Sequence, residues 1–191
     1  MALWGTSTAD ESKPKYLTAE EKKNTFADDR GWVYRHANGN EEVLVAVGKL
    51  AGTSTTTGLG AADITSMTWV TSALDSDSTV ITVDVTYNEA VTVTTTGGVP
   101  TLVVSNDDAS GDGNGDYTLS YTATGSTKNR KRFTATGLTL SADDVLSIAA
   151  QNIALNSGTM QDTASTSVAA KVAISAAVAA AVGEVTVTAA E

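Results

Sequence analysis

The sequence predicts a mainly β protein: a β-sandwich of two packed sheets, preceded by an extended N-terminal arm that carries a short helix and a β-hairpin. Three observations lead there. In residues 79–96, Ile81, Val83, Val85 and Tyr87 alternate with Thr82, Asp84 and Thr86, the period of two that makes a half-buried strand. Asn88-Glu89 breaks this alternation before Val91 and Val93 resume it, as expected where a strand bends or crosses between sheets. Residues 1–50 differ in kind, holding five of the ten aromatics and seven of the 12 basic residues with little regular periodicity.

In chain order, residues 1–50 read as an anchoring arm. Pro14 biases Lys13 toward extended backbone. Thr18 and Glu21 have the spacing of a capping box, which predicts a short helix to about Phe26. Residues 31–35 and 42–47 flank Asn38-Gly39, a hairpin signal whose two central residues are expected at positive φ. Residues 51–63, rich in Gly, Ser and Thr, read as a linker. The sandwich then occupies 64–191. Its first strand is expected over 64–71, with Met67 and Trp69 in alternate positions. Segments 101–105 and 116–124 should pair across a glycine-rich loop, with Tyr117, Leu119 and Tyr121 on one face. Strands over 132–140, 145–149 and 168–174 bring the expected count to about seven or eight. Residues 176–182 are ambiguous between helix and strand, and 185–188 read as a final strand that pairs in its own sheet or with a neighbouring subunit.

Composition narrows the partners. A net charge of −10 makes nucleic acid a poor match for the surface as a whole. The chain has no cysteine, which removes disulfides, thiolate metal ligands and a cysteine nucleophile. The longest weakly polar run, residues 172–183, is too short to span a bilayer, and residues 1–7 lack the form of a secretory signal. No cofactor is expected.

Four sets of residues invite a functional reading. Asp112, Asn114 and Asp116 have the alternate spacing of the first ligands of a calcium loop, yet Tyr117 stands where the turn glycine belongs and Ala123 where the bidentate glutamate does. A flexible acidic hairpin loop fits better. Lys128, Arg130, Lys131 and Arg132 form a basic run suited to an anionic partner, or simply to a solvated loop. His36, the only histidine, reads as an exposed hairpin residue because nothing in the sequence supplies the rest of a nucleophilic triad. Asp28-Asp29 and Asp143-Asp144 read as loop solubilisers. In the arm, Trp4, Pro14, Tyr16, Leu17, Phe26, Trp32 and Tyr34 are either satellite core residues or, as the separating linker favours, anchors on another protein.

Two resemblances add to this. The run VDVTYNEAVTVTTTGGVPTLVV, followed by YTLSYTATG and LNSGTMQDTAS, resembles the bacterial immunoglobulin-like modules of surface and phage proteins, with Tyr87 where that family more often has Phe. This resemblance implies an immunoglobulin-like sandwich and says almost nothing of function. The opening, with ALWGT, SKPKYLT, EKKNTF and GWV, resembles the N-terminus of small virion structural proteins of marine tailed phages. It implies a non-enzymatic component of the particle, most concretely a capsid decoration or cement protein on the capsid exterior, made in the host cytoplasm. The implied partners are the major capsid protein and neighbouring virion proteins, with self-association or a host surface glycan as further possibilities, and neither nucleic acid nor membrane. The alternative is a tail, neck or fibre-associated adhesion protein.

Overall fold

The computed structural model describes residues 16–28, 30–46, 61–163 and 168–191. In chain order the elements are α1 Ala19–Lys23, β1 Thr25–Asp28, β2 Gly31–Arg35, β3 Glu41–Ala46, β4 Ile64–Trp69, β5 Leu74–Asp75, β6 Val80–Tyr87, β7 Val91–Thr94 and β8 Thr101–Asn106. They continue with β9 Tyr117–Thr122, β10 Arg130–Thr136, β11 Val145–Ser147, β12 Gln151–Asn152, β13 Thr159–Asp162, β14 Ala173–Ile174, α2 Ala176–Val182 and β15 Val185–Thr188. The mainly β character is as expected, with more strands than predicted, because several two- and three-residue pieces are held by pairing rather than by propensity.

The N-terminal elements begin with the capping box: Thr18 Oγ1 accepts from the Glu21 amide at 3.3 Å and the Glu21 carboxylate accepts from the Thr18 amide at 2.8 Å. The helix stops at Lys23 rather than near Phe26, since Thr25 and Phe26 pair with Tyr34 and Val33 in the antiparallel sheet β1-β2-β3. The Asn38-Gly39 hairpin is present with a different turn. Only Gly39 has positive φ (88°); the Gly39 amide donates to His36 O and the His36 amide to Asn40 O. This is a three-residue loop closed by a left-handed glycine.

Residues 61–63 belong to the body rather than to a linker: Ala62 is fully buried, the Asp63 amide donates to Asn88 Oδ1 at 2.6 Å, and the Asp63 carboxylate meets Lys171 Nζ. Residues 51–60 of the expected linker lie outside the described residues. The main sheet has eight strands in the order β4-β6-β10-β9-β8-β11-β15-β5. Its two edge strands are close in sequence, and the indole of Trp69 on β4 donates to Gly183 O, just ahead of β15, at 3.1 Å. The sheet therefore curls, bringing its ends toward each other with α2 between them. Inside lie Ile81, Val83, Val85, Leu102, Leu119, Phe133 and Leu146, all fully buried. The phase of β4, which buries Ile64, Met67 and Trp69, shifts at a register irregularity between Ile64 and Ser66.

The ambiguous alanine run is helix α2, capped by Ser175 Oγ on the Val178 amide. Strand β15 pairs antiparallel with β11 and parallel with β5, so both its neighbours are in its own sheet. Beyond β6, the chain leaves this sheet: β7 pairs instead with β13. The loops at the foot of that pair are in close contact. A Cβ on Gly98 would fall 1.7 Å from Asn156 O, and one on Gly97 2.2 Å from Ser157 O. Asn156 adds hydrogen bonds to Val99 O and Thr101 Oγ1 at 2.9 and 3.0 Å. The GGVP and LNSG sequences, far apart in the chain, thus need each other's small backbone profile.

Gly98→Ala is expected to cost about 3 kcal/mol, because the added carbon meets backbone rather than a movable side chain; urea unfolding measures it. Tyr87 is fully buried and its hydroxyl makes no hydrogen bond among the described residues. Tyr87→Phe should therefore raise stability by about 1 kcal/mol, read as a higher Tm.

Candidate functional site

The one place where the sequence-predicted residues converge is the junction between the N-terminal sheet and the turn from β9 to β10. Phe26 and Val33, on one face of the small sheet, pack against Ala90 of the body. The Ala27 amide donates to Asn88 O at 2.8 Å, and a single parallel bridge joins Ala27 to Glu89. Asn129, 2% exposed, donates through Nδ2 both to Lys23 O and to Tyr87 O, each at 3.2 Å, and so ties the N-terminal elements to β6. On the outer side, Glu41 takes Lys128 Nζ at 2.8 Å and Arg30 Nη2 at 2.7 Å. Burial pushes the Glu41 carboxyl up, but the hydrogen bonds from Lys128 and Arg30 outweigh it and hold the group below the usual carboxylate range.

This arrangement corrects the reading of the arm. Phe26 and Trp32 are 0% exposed, Phe26 against the body and Trp32 with Ala27 and Val45, so neither stands free as an anchor for another protein. Tyr34 is half-buried and meets His36 edge to face at 4.6 Å between ring centroids. Tyr16 remains 70% exposed and Leu17 half-buried, while Trp4 and Pro14 lie outside the described residues.

Three of the four residues of the basic run are engaged within the protein, so the run as a whole is neither a solvated loop nor a free docking patch. Asp84, 4% exposed in the middle of β6, receives Arg132 Nε at 2.8 Å and Nη2 at 2.9 Å, a two-pronged pair. Arg130 Nε lies 3.3 Å from the same carboxylate without hydrogen-bond alignment. Lys131 shares the inward face of β10 with Phe133 and is 5% exposed; its Nζ donates to Thr127 O at 2.7 Å. Burial pulls its pKa down to about 8. Lys128, half exposed, bridges to Glu41, and Arg130 is the member of the group whose guanidinium makes no hydrogen bond among the described residues.

Between the hairpin and the β9–β10 turn lies a cleft of about 440 Å³, lined by Tyr34, Arg35, His36, Asn24, Thr127 and Arg130 among others. Arg35 was not singled out by sequence reasoning, and nothing local marks it, because its neighbours in the cleft come from the other half of the chain. His36 is exposed as expected, with Nε2 3.1 Å from the Glu42 carboxylate.

The acidic loop is organised differently from a calcium loop. Asp112 gathers with Asp108 and Asp144, their carboxylate oxygens within 4.8 Å of one another. Asp116 points away and accepts from the Asn106 amide at 3.1 Å, and Asn114 donates to Asp112 through Nδ2 at 2.9 Å. Asp144 is 1% exposed, so it is an organiser of the loop rather than a solubiliser. Burial pushes its carboxyl up, while the Ser110 amide and the Asn106 side chain more than compensate and hold it low. Such hard oxygens suit Ca²⁺, yet here they are engaged by protein donors: Asp108 by the Gly113 amide, and Asp112 by the Asn114 amide and Ser141 Oγ. Among the described residues, no helix is long and apolar enough to cross a membrane.

The chain matches no known family profile, no curated protein and no solved structure.

Lys131 makes a pH-dependent prediction. Its folded pKa is depressed, so between about 8 and the unfolded value of 10.5 the unfolded chain holds a proton that the folded chain has lost, and stability is gained as pH rises through that window. Lys131→Met should be the more stable protein at neutral pH, by about 1–3 kcal/mol. Melts of both proteins across the window should show the difference shrinking.

Proposed function

We propose that this chain is a non-enzymatic structural protein of a tailed-phage particle, a capsid decoration or cement protein whose extreme N-terminus binds the shell. In this reading the β body is an immunoglobulin-like sandwich displayed outward. The departure of β7 from the main sheet to pair with β13, and the seating of GGVP against LNSG, support that reading of the body, since these are the stretches on which the resemblance rests.

The observation that carries the attachment is the position of Tyr16. It is the most exposed large apolar side chain among the described residues, at 70%, while the aromatics that follow it are covered by the chain itself. The binding segment is therefore shorter than the whole arm: Trp4, Pro14, Tyr16 and Leu17 are assigned to the shell, and α1 with β1-β2-β3 to the protein's own body. Aromatic side chains such as Trp4 and Tyr16 anchor well because each ring buries a large area at small entropic cost. The partner in this reading is the major capsid protein. The rival is a tail or neck component using the same segment.

Quantitative mass spectrometry of purified particles decides between them. Copies numbering in the hundreds, lost on deletion of residues 1–17 but retained when only residues 1–3 are removed, are the expected result. A handful of copies would assign the chain to the tail, and none would remove it from the particle.

A further inference from the structure

We infer that the cleft between the β2–β3 hairpin and the β9–β10 turn is a binding site for an acidic saccharide unit, a sugar ring bearing a carboxylate. The inference is independent of the virion reading, since it concerns the isolated chain.

Charge is the first argument. On a protein of net charge −10, the cleft is lined by two arginines and by no carboxylate. Arg35 has no ion-pair partner among the described residues, although it is only partly exposed. Arg130 comes within 3.3 Å of Asp84 at Nε, and its guanidinium makes no hydrogen bond among the described residues. Asp84 is meanwhile satisfied by Arg132. Two arginines from opposite halves of the chain thus line one space, and neither guanidinium makes a hydrogen bond among the described residues. Planar, forked donors of this type match a carboxylate.

Shape and the remaining lining select the carrier of that carboxylate. The volume, about 440 Å³, falls in the range of small-molecule sites. Tyr34 and His36, stacked edge to face, give one wall ring surface, against which the C–H face of a sugar can lie. Asn24 and Thr127 supply an amide and a hydroxyl, which both donate and accept, as sugar hydroxyls require. An inorganic anion would use the arginines and leave the ring wall idle. The carboxylate His36 does face, that of Glu42, is held by its imidazole at 3.1 Å on the hairpin itself.

The two walls of the site are tied together by contacts already described: Asn129 bonds the turn to both Lys23 and Tyr87, and Lys128 bridges to Glu41 across the same junction. The cleft exists only because the N-terminal sheet is docked on the body.

Nuclear magnetic resonance titration of the full chain tests the proposal, using a tetrasaccharide of alternating glucuronate and N-acetylglucosamine, the same tetrasaccharide with its carboxylates reduced to alcohols, and inorganic phosphate. Saturable shifts centred on Tyr34, Arg35 and Arg130 are expected with the acidic sugar. Arg35→Gln should weaken binding by roughly tenfold, with the rest of its spectrum unchanged, and Arg35→Lys should recover part of the loss. The reduced sugar should bind at least as poorly. The proposal is overturned by the absence of saturation up to about 10 mM, by shifts that map elsewhere, by equal binding of the reduced sugar, or by phosphate binding as tightly as the acidic sugar.

Discussion

The carboxylate of Asp84 lies in the middle of β6 with almost no access to solvent, and the rest of the structure is arranged so that it is never left unpaired. An isolated buried charge is costly enough that a strand carrying one must find a partner or stay at the surface. Here the partner is the next strand: β10 pairs with β6 so that Arg132 stands opposite Asp84. That register in turn sets Phe133 opposite Val83, inside the core, and Lys131 opposite Val85. The polar face of β6 is then consistent throughout, with Thr82 and Thr134 hydroxyls 3.1 Å apart. One ion pair fixes the alignment of the two strands that share the longest ladder among the described residues.

The same pair explains why the basic run reads one way in sequence and another in space. Lys128, Arg130, Lys131 and Arg132 stand together as a charged segment, the usual mark of solvent exposure. Asp84, the residue that pairs with Arg132, lies 48 positions from it and is itself camouflaged as an ordinary polar position in an alternating strand. Alternation reveals that a strand has two faces; it does not reveal what covers the second one. Half-burial was therefore the natural expectation for β6, and burial of both faces from Ile81 to Tyr87 the outcome.

Long alternating segments were legible for this reason: β4, β6, β8, β9 and β15 all fall where the side-chain period puts them. The helix at Ala19–Lys23 was legible from Thr18 and Glu21, because a capping box is a local hydrogen-bond pattern. Its end was not, since Phe26 is claimed by β2, which lies across a turn. Pieces such as β5, β12 and β14 have no signal of their own and exist because a neighbour pairs with them. The cleft was the least legible feature. It joins Arg35 to Arg130 through the docking of two modules, and that docking runs through the Asn88 carbonyl, which accepts from the Ala27 amide, and the Asn129 side chain, bonds that leave no pattern in sequence.

Strand β15 sits between β11 and β5, and Thr188 Oγ1 reaches Leu74 O across 114 positions of chain. A ribosome therefore delivers β5 long before the strand it must lie beside. Through most of synthesis, the backbone of Leu74 and Asp75 has no ladder, and the curled sheet stays open on that flank. Closure of long-range pairs of this kind is slow. An unclosed β edge is also a template for the wrong neighbour. A net charge of −10 works against such pairing between copies of the chain until residues 185–188 fill the edge.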